Sequence, residues 1–164
     1  MSEDDRIRWD ARHSAAHRPD RAAVRVPERF AAHEDAFPVA GRALDLACGT
    51  GATAVWLATR GLDVVGVDIS PVAVEQARSL ASASGVAGRC RFLVWDLDAG
   101  LPAGDPVDVL VCQRFRDARL DAAVLGRLVP GGLLAVVALS EVGAAPGRFR
   151  ATPGELTRAF SGTG

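Results

Sequence analysis

The chain has 164 residues, 49% hydrophobic and 24% charged, with a formal net charge of −1. That is room for one domain with its own core, and the charge balance carries no footprint of nucleic-acid or anionic-membrane binding. No apolar run approaches the roughly 20 residues that span a bilayer, and the absence of Lys and Tyr removes Walker A, Schiff-base, Ser-Lys and Tyr-Lys chemistry.

From Met1 to about Val39 the chain is polar and Arg-rich, and the sequence predicts two short helices there. One lies around Ile7–Ala16 and one around Pro27–Ala36, with Pro27 in the first turn of the second. The charged stretch at Met1–Asp10 has no apolar region behind it, so no secretory signal is expected. From Gly41 onward strands and helices alternate. Ala43–Ala47 reads as a buried strand ending at a glycine cluster, and Ala52–Arg60 as a helix stopped by Gly61. Leu62–Asp68 is a Val-rich strand. Ser70 and Pro71 then open a helix, as N-cap and first helical residue, that runs to about Ser84 with Val74, Ala77 and Ala81 on one face. Cys90–Trp95 and Val107–Cys112 are predicted strands, Leu120–Val129 a helix, and Leu133–Leu139 a fifth strand after the Pro130-Gly131-Gly132 turn. Glu141–Arg150 is a loop, and Pro153–Phe160 begins another helix. Nearly continuous apolar strands alternating with helices imply a parallel sheet covered on both faces. The three cysteines, Cys48, Cys90 and Cys112, are odd in number and far apart. They suit a reducing cytosol, and their spacing suggests no metal site.

The chemistry concentrates in Leu44-Asp45-Leu46-Ala47-Cys48-Gly49-Thr50-Gly51. A small-residue loop between a strand and a helix lets a ligand approach bare main chain at the carboxyl ends of the strands. Asp68, 17 positions after Gly51, ends the second strand, where a carboxylate accepts from ribose hydroxyls. Taken alone, a glycine cluster is a turn and an acid after a strand is a cap or a solvated group. Together, with Ser70 taking the cap, they predict a ligand site and leave Asp68 free for it. The run Gly49–Ala54 matches a G-x-G-x-x-G/A pattern only in its alanine-ended form. Asp45 would repel a pyrophosphate and attract a positively charged ligand.

Asp45–Gly51 resembles motif I of the class I S-adenosylmethionine-dependent methyltransferases, and Asp68 within Val64–Ser70 resembles the acidic ribose-binding residue of motif II. Asp96 within Val94–Leu97 resembles the residue at the adenine edge. Asp108–Cys112 is similar to the fourth strand, whose end flanks the methionine moiety, and Leu128–Leu134 to the turn before the fifth. The likeness covers about Gly41–Leu139; it departs at Ala47, where many members have glycine, a variant expected to cost little. It implies a Rossmann-like three-layer αβα sandwich of about five mainly parallel strands, with residues 1–39 as a helical cap and 40–164 as the S-adenosylmethionine-binding domain. It further implies cofactor contacts from Asp45, Ala47, Cys48, Gly49, Gly51, Asp68, Ile69, Asp96, Leu97 and Cys112.

Trp9-Asp10-Ala11-Arg12-His13 and Phe149–Leu156 resemble segments of tellurite-resistance and thiopurine-type small-molecule methyltransferases, in which an N-terminal segment folds over the cofactor pocket. This places Trp9, Arg12 and His13 on the acceptor side, and Gln113, Arg114 and Phe115 follow the fourth strand at the rim where the acceptor should sit, with surface or core-anchor roles as the plain alternative. Of the three histidines, His13, His17 and His33, His13 is the first candidate. Methyl transfer from a sulfonium is an in-line displacement that needs alignment and exclusion of water; a soft nucleophile needs no general base. The expected protein is therefore a cytoplasmic methyltransferase acting on a small molecule, with no nucleic-acid or membrane partner. The family's C-terminal β-hairpin has no counterpart in the sequence, so the fifth strand is expected as an exposed edge. A truncated chain, a homodimer through that edge and a cofactor-binding domain without turnover are the alternatives this raises. A nicotinamide-dependent oxidoreductase is a further one, opposed by Asp45.

Overall fold

The computed structural model describes residues 3–16 and 20–161. Helix α1 (Glu3–Ala15) begins with Glu3, Asp4 and Asp5 and ends with Arg12 and His13, charges that oppose the helix dipole at each end. His17 lies outside the described residues. The second predicted helix is a 3-10 helix, Glu28–Ala36, broken by non-helical backbone at His33. Pro27 precedes it in extended backbone and does not sit in its first turn. The reason is tertiary: Phe30 and Phe37 are buried, and Phe37 meets Trp56 edge-on at 5.1 Å, which fixes both ends of a segment too short for regular α pitch.

The alternating part follows the sequence reading closely: β1 (Gly41–Leu46), α2 (Ala52–Thr59), β2 (Leu62–Asp68), α3 (Pro71–Ala83), β3 (Cys90–Val94), β4 (Val107–Gln113), α4 (Asp121–Arg127) and β5 (Leu128–Val137). Ser70 caps α3, its side chain accepting from the Ala73 N–H, with Pro71 at the first helical position. The five strands form one parallel sheet in the order β3-β2-β1-β4-β5. The order reverses at β1, between β2 and β4, and ligands in such sheets sit outside the carboxyl ends at that point.

Side chains alternate across the sheet. Ala43, Val64, Val109 and Val111 face one layer, where they pack with Val55, Trp56 and Leu57 of α2 and Ala77 and Leu80 of α3. Leu44, Leu46, Val67 and Leu110 face the other, under Val124 of α4, Phe115 and Leu97. Gly51 lets α2 start close against α3. Its φ is +82°, and a Cβ there would lie 2.6 Å from the Ala77 Cβ.

The last third departs most from expectation. The helix predicted to Val129 ends at Arg127, because Leu128 already pairs with Val107 as strand. Four residues then bulge before Leu133 pairs with Val109. The strand predicted to Leu139 ends at Val137; Leu139–Ser140 (β6) turns away to pair in parallel with Arg150–Ala151 (β7). Helix α5 (Glu155–Phe160) follows, tied to α4 by the buried Arg116, which bonds Asp121 with two nitrogens and Glu155 at 2.6 Å. Among the described residues, β5 is an edge strand.

Replacing Gly51 by alanine combines left-handed strain with a helix–helix clash. The Gly51→Ala variant is expected to lose about 2–4 kcal/mol of stability, read as a lower urea midpoint at unchanged slope.

Candidate functional site

A cavity of about 430 Å³ opens at the carboxyl ends of β1, β2 and β4. Its floor is Asp45, the loop Ala47–Thr50, Asp68 and Ile69; its far wall is Gln113, Arg114 and Phe115. Trp9, Arg12 and His13 of α1 roof it, and Leu139 and Phe149 close the side. Gly51, Asp96, Leu97 and Cys112, also predicted as site residues, do not line it. Gly51 lies under α3, Asp96 caps a 3-10 turn through the Asp98 N–H, Leu97 is buried in the second layer, and the Cys112 thiol reaches the Phe115 carbonyl.

The floor is shaped by backbone. Ala47 has φ +52° and Gly49 φ +54°, and the Cys48 N–H bonds the Val67 carbonyl at 2.9 Å. The left-handed conformation at Ala47 costs a residue with a Cβ about 1–2 kcal/mol, so alanine here is not the inexpensive variant the sequence suggested. Asp68 holds the loop. One carboxylate oxygen accepts from the Gly49 N–H and the other from the Ser70 N–H, both at 2.9 Å. Asp68 therefore has a structural task even though Ser70 takes the helix cap, against the sequence reading.

The roof is hooked down at several points. Ser70 Oγ donates to Asp10, Gln76 Nε2 donates to the His13 carbonyl at 3.2 Å, and Arg148 binds Asp5 at 2.6 Å. His13 stacks on Trp9 at 6.0 Å, and the Arg12 guanidinium lies 5.2 Å from the Trp9 ring centre. On the far wall Gln113 donates to Thr53 Oγ1 at 2.8 Å, and Phe115 packs on Phe149 at 5.2 Å. Thr53, Leu139 and the Asp5–Arg148 hook gave no signal in the sequence, because each joins segments far apart in the chain.

This architecture is shared with known proteins. A family model described as a methyltransferase domain matches residues 43–132. The chain belongs to the methyltransferase domain family. It is 42% identical over 95 residues to ribosomal protein L11 methyltransferase of Thermus thermophilus, covering 56% of this chain and 35% of that protein. It is 36% identical over 111 residues to ribosomal RNA small subunit methyltransferase C of Chromohalobacter salexigens, covering 62% and 32%. The chain thus spans about a third of the length of these curated relatives. Among solved structures, a SAM-dependent methyltransferase of Thiobacillus denitrificans in complex with S-adenosyl-L-homocysteine superposes with a TM-score of 0.61 at 28% identity, over 83% of this chain and 55% of that one.

Within this methyltransferase domain the cavity floor is electrically unusual. Asp45 is 2% exposed. Burial, and then the neighbouring charge of Asp68, push its pKa from the usual 3.8 up to about 8. Burial raises Asp68 as well, against the Ser70 and Gly49 N–H groups that pull it down. Burial drives the Cys48 thiol upward, Cys90 to about 11 and Cys112 to about 12. All three are free thiols and stay protonated at neutral pH, which suits packing over nucleophilic chemistry. Among the described residues no cluster of His, Cys, Asp and Glu is arranged to hold a metal ion, and no helix is long and apolar enough to cross a membrane.

A carboxylate raised by folding gives its full stabilisation below its unfolded pKa and loses it as pH rises through the folded value. For Asp45 that window runs from 3.8 to about 8. Thermal unfolding of the ligand-free protein should therefore show a melting temperature that falls across this range. The Asp45→Asn variant should show a flatter profile, and parallel profiles would remove Asp45 as the cause.

Proposed function

We propose that this domain binds S-adenosylmethionine in the strand-tip cavity and aligns its methyl group with a small-molecule acceptor entering under α1. The observation that carries the reading is the pair of buried acids, Asp45 and Asp68, set against a loop of bare main chain with no basic side chain on the cavity floor. That donor set fits a cationic nucleoside and opposes a pyrophosphate. The Gly49 position supports it further: a Cβ there would come within 3.7 Å of the His13 ring, so glycine keeps the gap between loop and roof open.

The residues divide by chemistry. Asp68 has given one lone pair of each oxygen to Gly49 and Ser70, and the remaining lone pairs suit ribose hydroxyls. Asp45 supplies the negative charge that a bound cation stabilises in its ionised form. Ala47, Cys48, Gly49 and Ile69 provide surface and main-chain groups. Gly51 and Cys112 adjoin lining residues in the chain, and Asp96 and Leu97, which follow β3, complete the wider cofactor set that the family resemblance implies. The bound cofactor supplies an already activated methyl group. What the chain adds is alignment and exclusion of water. Trp9, Arg12, His13, Gln113 and Arg114 face the acceptor, with residues 1–39 as cap over 40–164.

A small acceptor is supported by the roof that Trp9, Arg12 and His13 form over the cavity, and a nucleic-acid partner is disfavoured by the formal net charge of −1. Unpaired cysteines support a reducing, cytoplasmic setting. The unpaired outer edge of β5 among the described residues supports pairing with a second copy.

Calorimetric titration with S-adenosylhomocysteine should give saturable binding, and titration with NADH none. Binding of NADH alone would overturn the reading. Asp68→Ala should weaken S-adenosylhomocysteine by about 1–3 kcal/mol. Asp68→Asn keeps one acceptor oxygen and loses the other, so thermal melts of both variants beside the titrations separate lost ligand contacts from collapse of the loop. Product formation with a panel of thiols then separates turnover from binding without transfer.

A further inference from the structure

The second face of the sheet is covered unevenly. Over β4 and β5 the cover comes from α4 and Phe115. Between β3 and β4 there is no α-helix, only a loop with one 3-10 turn, Leu97–Ala99. A parallel sheet is normally covered on both faces. Here, at the amino ends of β1, β2 and β3, the thin cover leaves a second cavity of about 400 Å³. It shares no lining residue with the first.

Its floor is apolar: Leu44, Val65 and Leu93, the last two only half-buried. Its rim carries Arg42, Arg89, Arg91 and Arg127. Asp105 faces Arg42 at 3.5 Å and Asp63 faces Arg89 at 3.0 Å. Arg127 donates to the Pro102 carbonyl at 2.7 Å, and Arg91 is exposed beside Val65; neither has a carboxylate partner among the described residues. The rim is thus cationic over a greasy floor. Guanidinium groups beside apolar surface bind oxyanions such as carboxylate and phosphate with two donors at once and stack on flat rings.

We infer that this cavity is a second binding site, for an anionic group carried on a flat apolar body, such as an aromatic carboxylate, sulfonate or phosphate. The apolar body lies on Val65 and Leu93, and the anion meets Arg91 and Arg127. The inference does not rest on the cofactor reading, because the two cavities lie at opposite ends of the strands.

The test is calorimetric titration of the whole chain with 2-naphthalenesulfonate. Saturable binding with one site per chain is expected. Arg91→Glu and the milder Arg91→Gln should each weaken it, the former by at least about tenfold, the change expected for losing a charged hydrogen-bond donor. Neutral 2-naphthalenemethanol and the bodiless anion methanesulfonate should each bind at least about tenfold more weakly, since both parts of the ligand are required. Three results would overturn the inference: no saturable heat, an affinity unchanged in both Arg91 variants, or equal binding of the neutral analogue.

Discussion

The Asp68 carboxylate accepts N–H groups from two separate stretches of chain, Gly49 in the loop after β1 and Ser70 at the start of α3. That pair of bonds joins neighbouring strand tips and sets the depth of the cavity floor. Ser70, held in place, caps α3 and also reaches Asp10 on the roof. Floor, helix and roof therefore converge on one buried acid. Such a group is costly to desolvate, and its two main-chain donors offset the cost only in part, as its raised pKa shows.

A second acid lies close enough for the two to repel. Burial is the main cause of the raised Asp45 pKa, and the charge of Asp68 adds to it. Two buried acids side by side, with no cation on the cavity floor, form a site whose electrostatics are incomplete by themselves. At the mouth the sign reverses, with Arg12 and Arg114 exposed. The cavity is polarised from floor to rim, and a ligand pair with cationic and electron-rich ends fits that gradient.

How much of this was legible in the sequence depends on the range of the interaction. Strand β2 matched the predicted Leu62–Asp68, and the Ser70–Pro71 start of α3 was read correctly, because alternation, caps and proline act within a few residues. The acid–glycine grouping was legible for the same reason. The ends of α4 and β5 were not, since β4 decides them by pairing Leu128 with Val107 and forcing the bulge that follows. The 3-10 pitch of Glu28–Ala36 answers to Trp56, a residue of α2. In the site, the local rule that Ser70 caps its helix was right and hid the second task of Asp68, whose Gly49 partner is 19 positions away. The hook from Asp5 to Arg148 spans 143 positions, and no pattern in either segment announces it.

Ala47 carries one more implication. In the left-handed region a methyl group raises the energy of the folded loop. The same methyl group narrows the conformations open to the unfolded chain, where glycine would roam widely. An alanine at this corner thus exchanges comfort for definition. The turn beneath the ligand is stiff before anything arrives, and less disorder has to be frozen out on capture.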